Sequence, residues 1–206
     1  MRIGKNGVVV ASALIAAALA VAADAPKKAE PRAGGGPPTQ DQMMAAWQKS
    51  AAVGPEHAVL KNFEGKWKSS VTATMDPTQP PEKSEGTSEG MLILGGRFVH
   101  VLHHGSMMGQ PFEGMMLLGY DNLRKKYTSS WVDNMGTQIA SYDGQWNAAK
   151  KELTMTGHFL DPISGQPQQT RGVTAFPDAN TMTYDEYMTG PDRKEMHGLH
   201  IDFKKS

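Results

Sequence analysis

From Lys66 to Phe203, apolar residues recur at alternate positions in short runs rich in β-branched and aromatic side chains. Turn-forming clusters interrupt these runs at intervals of about a dozen or more residues. They are Gly95-Gly96, Gly109-Gln110-Pro111, Asp121-Asn122, Asn134-Met135-Gly136, Asp161-Pro162, Pro177-Asp178 and Gly190-Pro191-Asp192. No helical period lies between them. Such punctuation predicts an all-β domain of about nine or ten antiparallel strands joined as hairpins. A closed barrel is favoured because closure leaves no edge strand exposed, although a two-sheet sandwich has the same inward alternation.

Alternation also assigns faces. Trp67, Val71, Ala73 and Met75 share one with Ser69, and His197, Leu199, Ile201 and Phe203 share another. Arg97 falls in phase with Val99, Val101 and His103. Glu186 falls in phase with Met182, Tyr184 and Met188, which makes the two charges candidates for burial. Tyr127, Ser129, Trp131 and Asp133 alternate aromatic and polar groups on one face, a mixture that suits a lined cavity better than a dry core. Unless Arg97, Glu186 and Asp133 pair with each other or reach solvent, their burial is costly.

Ahead of the strands the pattern changes. Thr39 or Asp41 is placed to cap a short helix through Ala51, on which Met43, Met44 and Trp47 share a face. Gly54-Pro55 breaks it, and a second short helix carries Val59, Leu60 and Phe63 before Gly65. Residues 23–40 are rich in Pro, Gly, Ala and charge and read as a tether. Residues 1–22 read as a signal peptide: Arg2 and Lys5, an apolar run from Val8 to Ala20, and the small-x-small Ala20-Val21-Ala22. The apolar run is shorter than the roughly 20 residues a spanning helix needs. Residues 41–206 then form one domain, expected in the periplasm or outside the cell with no transmembrane segment.

The chain has no cysteine, which excludes a cysteine-anchored lipoprotein, disulfides and thiolate metal sites. Removing residues 1–22 takes two of the 21 basic residues and none of the 21 acidic ones, leaving 19 against 21 and a net charge of −2. Nothing in that balance attracts nucleic acid or anionic lipid.

Gly65-Lys66-Trp67 resembles the G-x-W opening of lipocalin-like barrels, whose tryptophan packs across the closed end. Further segments carry a more specific likeness: Leu94-Gly95-Gly96-Arg97-Phe98, Pro111-Phe112-Glu113-Gly114, Gly119-Tyr120-Asp121, and Trp131-Val132-Asp133 with Thr137 beyond. In that order they resemble the bacterial family catalogued as domain of unknown function DUF1579, from about Gly54 to the end. The resemblance implies a lipocalin-like or calycin-like barrel and assigns no catalytic residue.

Of the enzyme motifs, the sequence has no phosphate loop and no H-E-x-x-H, and its serines, histidines and aspartates are scattered. No cofactor is called for. The domain is expected to enclose a small apolar or amphipathic molecule, with Met115, Tyr127, Trp131 and Met155 lining the cavity. Arg97 would anchor an acidic head through paired hydrogen bonds unless Asp133 or Glu186 already neutralises it. The competing reading is an envelope structural or interaction protein whose barrel is filled solid. The lesser alternatives are an enzyme using the same pocket and two that involve metals. His103, His104, Met107, Met108, Met115 and Met116 flank one turn with the soft ligands Cu(I) prefers, although methionine is also an adaptable filler. His158 or His197 offers an axial ligand for haem.

Overall fold

A computed structural model describes residues 36–74, 78–189 and 194–206. The segments expected to be a signal peptide and most of a tether, together with Met75 and the turn at Gly190-Pro191-Asp192, lie outside the described residues. Ten strands follow two short helices: β1 (Gly65–Ala73), β2 (Glu82–Ile93), β3 (Phe98–Met107), β4 (Gln110–Asp121), β5 (Lys126–Asp133), β6 (Ala140–Asn147), β7 (Glu152–Leu160), β8 (Pro167–Ala175), β9 (Thr181–Thr189) and β10 (Glu195–Lys205). Each pairs antiparallel with its neighbour in sequence. β1 also pairs with β10, from Trp67↔Lys205 to Ala73↔Leu199, closing the barrel. That pairing excludes the sandwich.

The turns follow local chemistry. Between β3 and β4 the two-residue turn is Met108-Gly109, with φ of 51° and 70°. Two consecutive positive φ values give the hairpin twist that matches the strands, and Gly109 adopts its value without strain. The sequence pattern centres this turn one residue later.

One end of the barrel is sealed by the chain itself. A 3₁₀-helix (Pro55–Phe63) begins where Pro55 fixes the first turn, and it buries His57, Val59, Leu60 and Phe63. The inner side of β2 offers no obstacle there, because Gly90 lies directly under the Phe63 carbonyl and any side chain would collide with it. Trp67 donates its indole N–H to that carbonyl across 3.2 Å, and Phe63 meets Phe176 edge-on. The tryptophan therefore sits in the floor.

The preceding helix, α1 (Gln40–Ala51), buries none of its residues. Its apolar side chains Met43, Met44 and Trp47 face solvent, and two side chains of the barrel hold its C-terminal end. Arg97 Nε donates to the Ala51 carbonyl at 2.9 Å, and Asn122 Nδ2 donates to the carbonyls of Ser50 and Ala52 at 2.9 and 2.7 Å. These carbonyls lack helical partners, and a guanidinium also complements the negative end of the helix dipole.

Candidate functional site

The inner faces combine large and very small side chains, and their mismatch leaves a cavity of about 510 Å³. It runs from Phe63 at the floor to Met107, Met135 and Pro162 at the opposite rim. Leu118, Leu153, Met155, Met182, Ile201 and Phe203 supply much of its apolar wall.

Two aromatic rings are seated by glycines placed diagonally from them on the neighbouring strand. A Cβ on Gly114 would meet the Trp131 ring at 2.5 Å, and one on Gly172 would meet Tyr184 at 2.7 Å. Each ring reaches over the neighbouring strand because that strand has no side chain there. Trp131 is fixed further by Asp133, whose Oδ2 accepts the indole N–H at 2.7 Å while Oδ1 accepts the Met135 N–H at 3.0 Å.

The charges in the wall are acidic. Glu186 lines the cavity, and Tyr184 donates its hydroxyl to Glu186 Oε2 at 3.2 Å. Burial pushes the Glu186 carboxyl above its usual range, against the opposing effect of that hydrogen bond. Burial also raises Tyr142, and with the nearby Glu186 it holds Tyr184 well above the ordinary phenol value. His103 packs between Trp131 and Phe203, with centroids 5.4 and 6.1 Å away. Burial, with a smaller push from His104, lowers its imidazole to about 4, so it is neutral at pH 7. No lysine or arginine is among the described residues lining the cavity.

The sequence-derived residues divide accordingly. Trp131, Asp133, Met155 and Glu186 line the cavity together. Arg97 does not: it precedes β3 in the turn at Leu94-Gly95-Gly96, all three with positive φ, so strand alternation does not extend to it. Its second bond, Nη1 to the Leu94 carbonyl at 3.0 Å, keeps it in that turn. Met115 points outward, opposite Leu102, while its neighbour Met116 faces the lumen. Tyr127 is on the inner face but below the cavity, where its hydroxyl donates to the Glu56 carbonyl at 2.7 Å and its ring packs on Tyr120. There burial and the nearby Glu56 push its phenol up to about 12.

The metal candidates are only partly brought together. His103 opposes Gly114 and His104 opposes Glu113, so neither histidine faces a methionine across the hairpin. His103, His104, Met107 and Met116 line the cavity, whereas Met108 is exposed in the turn. The haem candidates lie outside the lumen. His158 is an exposed residue of β7, and a β-bulge between His197 and Leu199 takes His197 off the inner face that alternation assigns it.

Ten antiparallel strands closed around a lined cavity define a lipocalin-like barrel. The chain belongs to the family described as "Protein of unknown function (DUF1579)", whose model matches residues 52–205. Among solved structures it is similar to Rv2717c from M. tuberculosis at 13% identity and a TM-score of 0.52, covering 75% of this chain and 99% of that one. It is also similar to a redesigned β-barrel at 12% identity and a TM-score of 0.37, covering 72% and 95%. No curated protein matches the chain.

Proposed function

We propose that this protein is a binding module that holds a small apolar or amphipathic molecule inside the barrel, with the polar end of that molecule donating hydrogen bonds or carrying positive charge. The cavity carries the reading. Its volume of about 510 Å³ falls in the range of small-molecule sites, and such sites combine an apolar wall with a few placed polar groups. A solid-filled barrel would leave no such space. Among its polar groups Asp133, Glu186, Tyr142, Tyr184 and neutral His103 are able to accept a hydrogen bond, beside the hydroxyls and amide of Ser69, Ser129, Thr174 and Gln138. An acidic head finds no cation among the described lining residues. With Arg97 engaged by α1, the acidic amphiphile loses the anchor that motivated it.

The test is displacement of N-phenyl-1-naphthylamine, a neutral fluorescent probe, by dodecylamine, dodecanol and dodecanoic acid at pH 7. The amine and the alcohol should displace it at micromolar concentration, with the acid at least about tenfold weaker, as expected for desolvating an unpaired charge. Failure of all three to displace, or of the probe to bind, overturns the binding reading. Displacement led by the acid overturns the assigned polarity. Native mass spectrometry of protein taken from its own source identifies any resident molecule.

A further inference from the structure

On the outer face of the barrel, β9 and β10 bring together three side chains that sequence spacing keeps apart. His197 and His200 are three residues apart on β10, and in a regular strand they would face opposite sides. The bulge at Gly198 inserts one extra residue: His197 pairs with Tyr187 and Leu199 with Glu186. Both imidazoles consequently reach the same oxygen of Asp185. His197 Nε2 lies 2.7 Å from Asp185 Oδ1, and His200 Nδ1 lies 2.8 Å from it. Bulges characteristically re-aim a side chain in this way.

We propose that Asp185, His197 and His200 form a binding site for one divalent first-row transition-metal ion of the zinc, nickel or copper type. Two imidazoles and a carboxylate are the donor set these ions take. The donor atoms lie within 4.8 Å of one another. Donors around tetrahedral zinc are about 3.4 Å apart, so the two imidazole-to-carboxylate distances need widen only slightly to admit an ion. On binding, the ion replaces the proton each ring nitrogen shares with Asp185, and that proton leaves to solvent or occupies the ring's other nitrogen. All three residues keep some solvent exposure, so water completes the coordination.

A supporting layer orients the donors. Asp202 Oδ2 lies 3.4 Å from His200 Nε2, behind the ring, where a second carboxylate fixes the tautomer that presents Nδ1. Tyr187 stacks on His197 with centroids 4.9 Å apart. Arg171 covers the other ring of that stack at 4.1 Å and grips Glu195 through two bonds of 2.8 and 2.6 Å. The rings are thus braced from β8 to β10. This site is independent of the cavity and of its occupant.

Protein stripped with a chelator and dialysed is titrated with Zn²⁺ by calorimetry, and the complex is counted by native mass spectrometry. One ion per chain should bind at micromolar concentration or tighter. Asp185→Asn, His197→Ala and His200→Ala should each weaken binding at least about tenfold, and Asp202→Asn by about tenfold. His158→Ala should leave it unchanged. Thermal melts of each variant in chelator show whether it is folded; His197→Gln replaces any that is not. Binding only at millimolar zinc, binding that survives His200→Ala, or equal loss in His103→Ala overturns the assignment.

Discussion

Trp131 donates its indole N–H to Asp133 across 2.7 Å, two positions along one strand and on one inner face. The bond orients the largest ring in the upper cavity, and Phe112 stacks beyond it at 6.3 Å. Asp133→Ala should leave the barrel folded, weaken probe binding several-fold, and cost about 1–2 kcal/mol for the lost charge-assisted bond. Denaturant unfolding and the indole emission maximum report both effects. Unchanged emission would show that the carboxylate does not fix the ring.

Gly114→Ala attacks the same ring from below. The added methyl group would lie 2.5 Å from the indole, which must then tilt into the cavity. Such overpacking costs about 1–3 kcal/mol. Probe affinity should fall together with the denaturation midpoint, while far-ultraviolet dichroism stays that of a barrel.

Arg97→Met separates the two roles an arginine near this barrel could have. Its bonds reach α1 and its own turn, so probe affinity should stay at the wild-type value. Because α1 buries nothing, loss of this contact together with Asn122→Ala should speed amide exchange across residues 40–51 by about tenfold or more. A drop in probe affinity with unchanged exchange would return Arg97 to the cavity.

His103 gives a pH dependence with a definite sign. Burial holds its pKa down to about 4 in the fold, against the ordinary imidazole value of 6.5. Above pH 6.5 both folded and unfolded chains are neutral at this ring. As pH falls from 6.5 to 4 only the unfolded chain takes up the proton, so stability declines through that window and the decline stops below it. The full loss is on the order of 3 kcal/mol. Subtracting the unfolding free energies of His103→Gln from those of the wild type cancels the carboxylates common to both. A difference that does not change between pH 7 and pH 4.5 would refute the buried neutral histidine.

Alternation reads well wherever a strand is regular. The inward sets Ser129, Trp131, Asp133 on β5 and Met182, Tyr184, Glu186 on β9 follow from the sequence, as does the floor at Trp67, whereas closure is only favoured over a sandwich until β1 is seen to pair with β10. Phase fails where the backbone leaves the pleat. Arg97 sits in a turn and His197 beyond a bulge, and the residues responsible, Leu94-Gly95-Gly96 and Gly198, reveal a break without revealing its direction. Depth along the barrel is equally invisible: Tyr127 is on the correct face but at the level of the 3₁₀-helix. The cluster at Asp185 depends on that bulge, and an isolated glycine within β10 is its only trace in the sequence.

The pairing of β1 with β10 has a consequence for synthesis. Every other neighbour is available as soon as the next hairpin emerges, but β1 must wait, with its partner face open, until the ribosome has translated more than a hundred further residues. Until then the nascent sheet presents two unpaired margins, the configuration most prone to pairing with other chains. A message truncated before β10 would make that exposure permanent, so the expected product is an aggregate rather than a nine-stranded barrel.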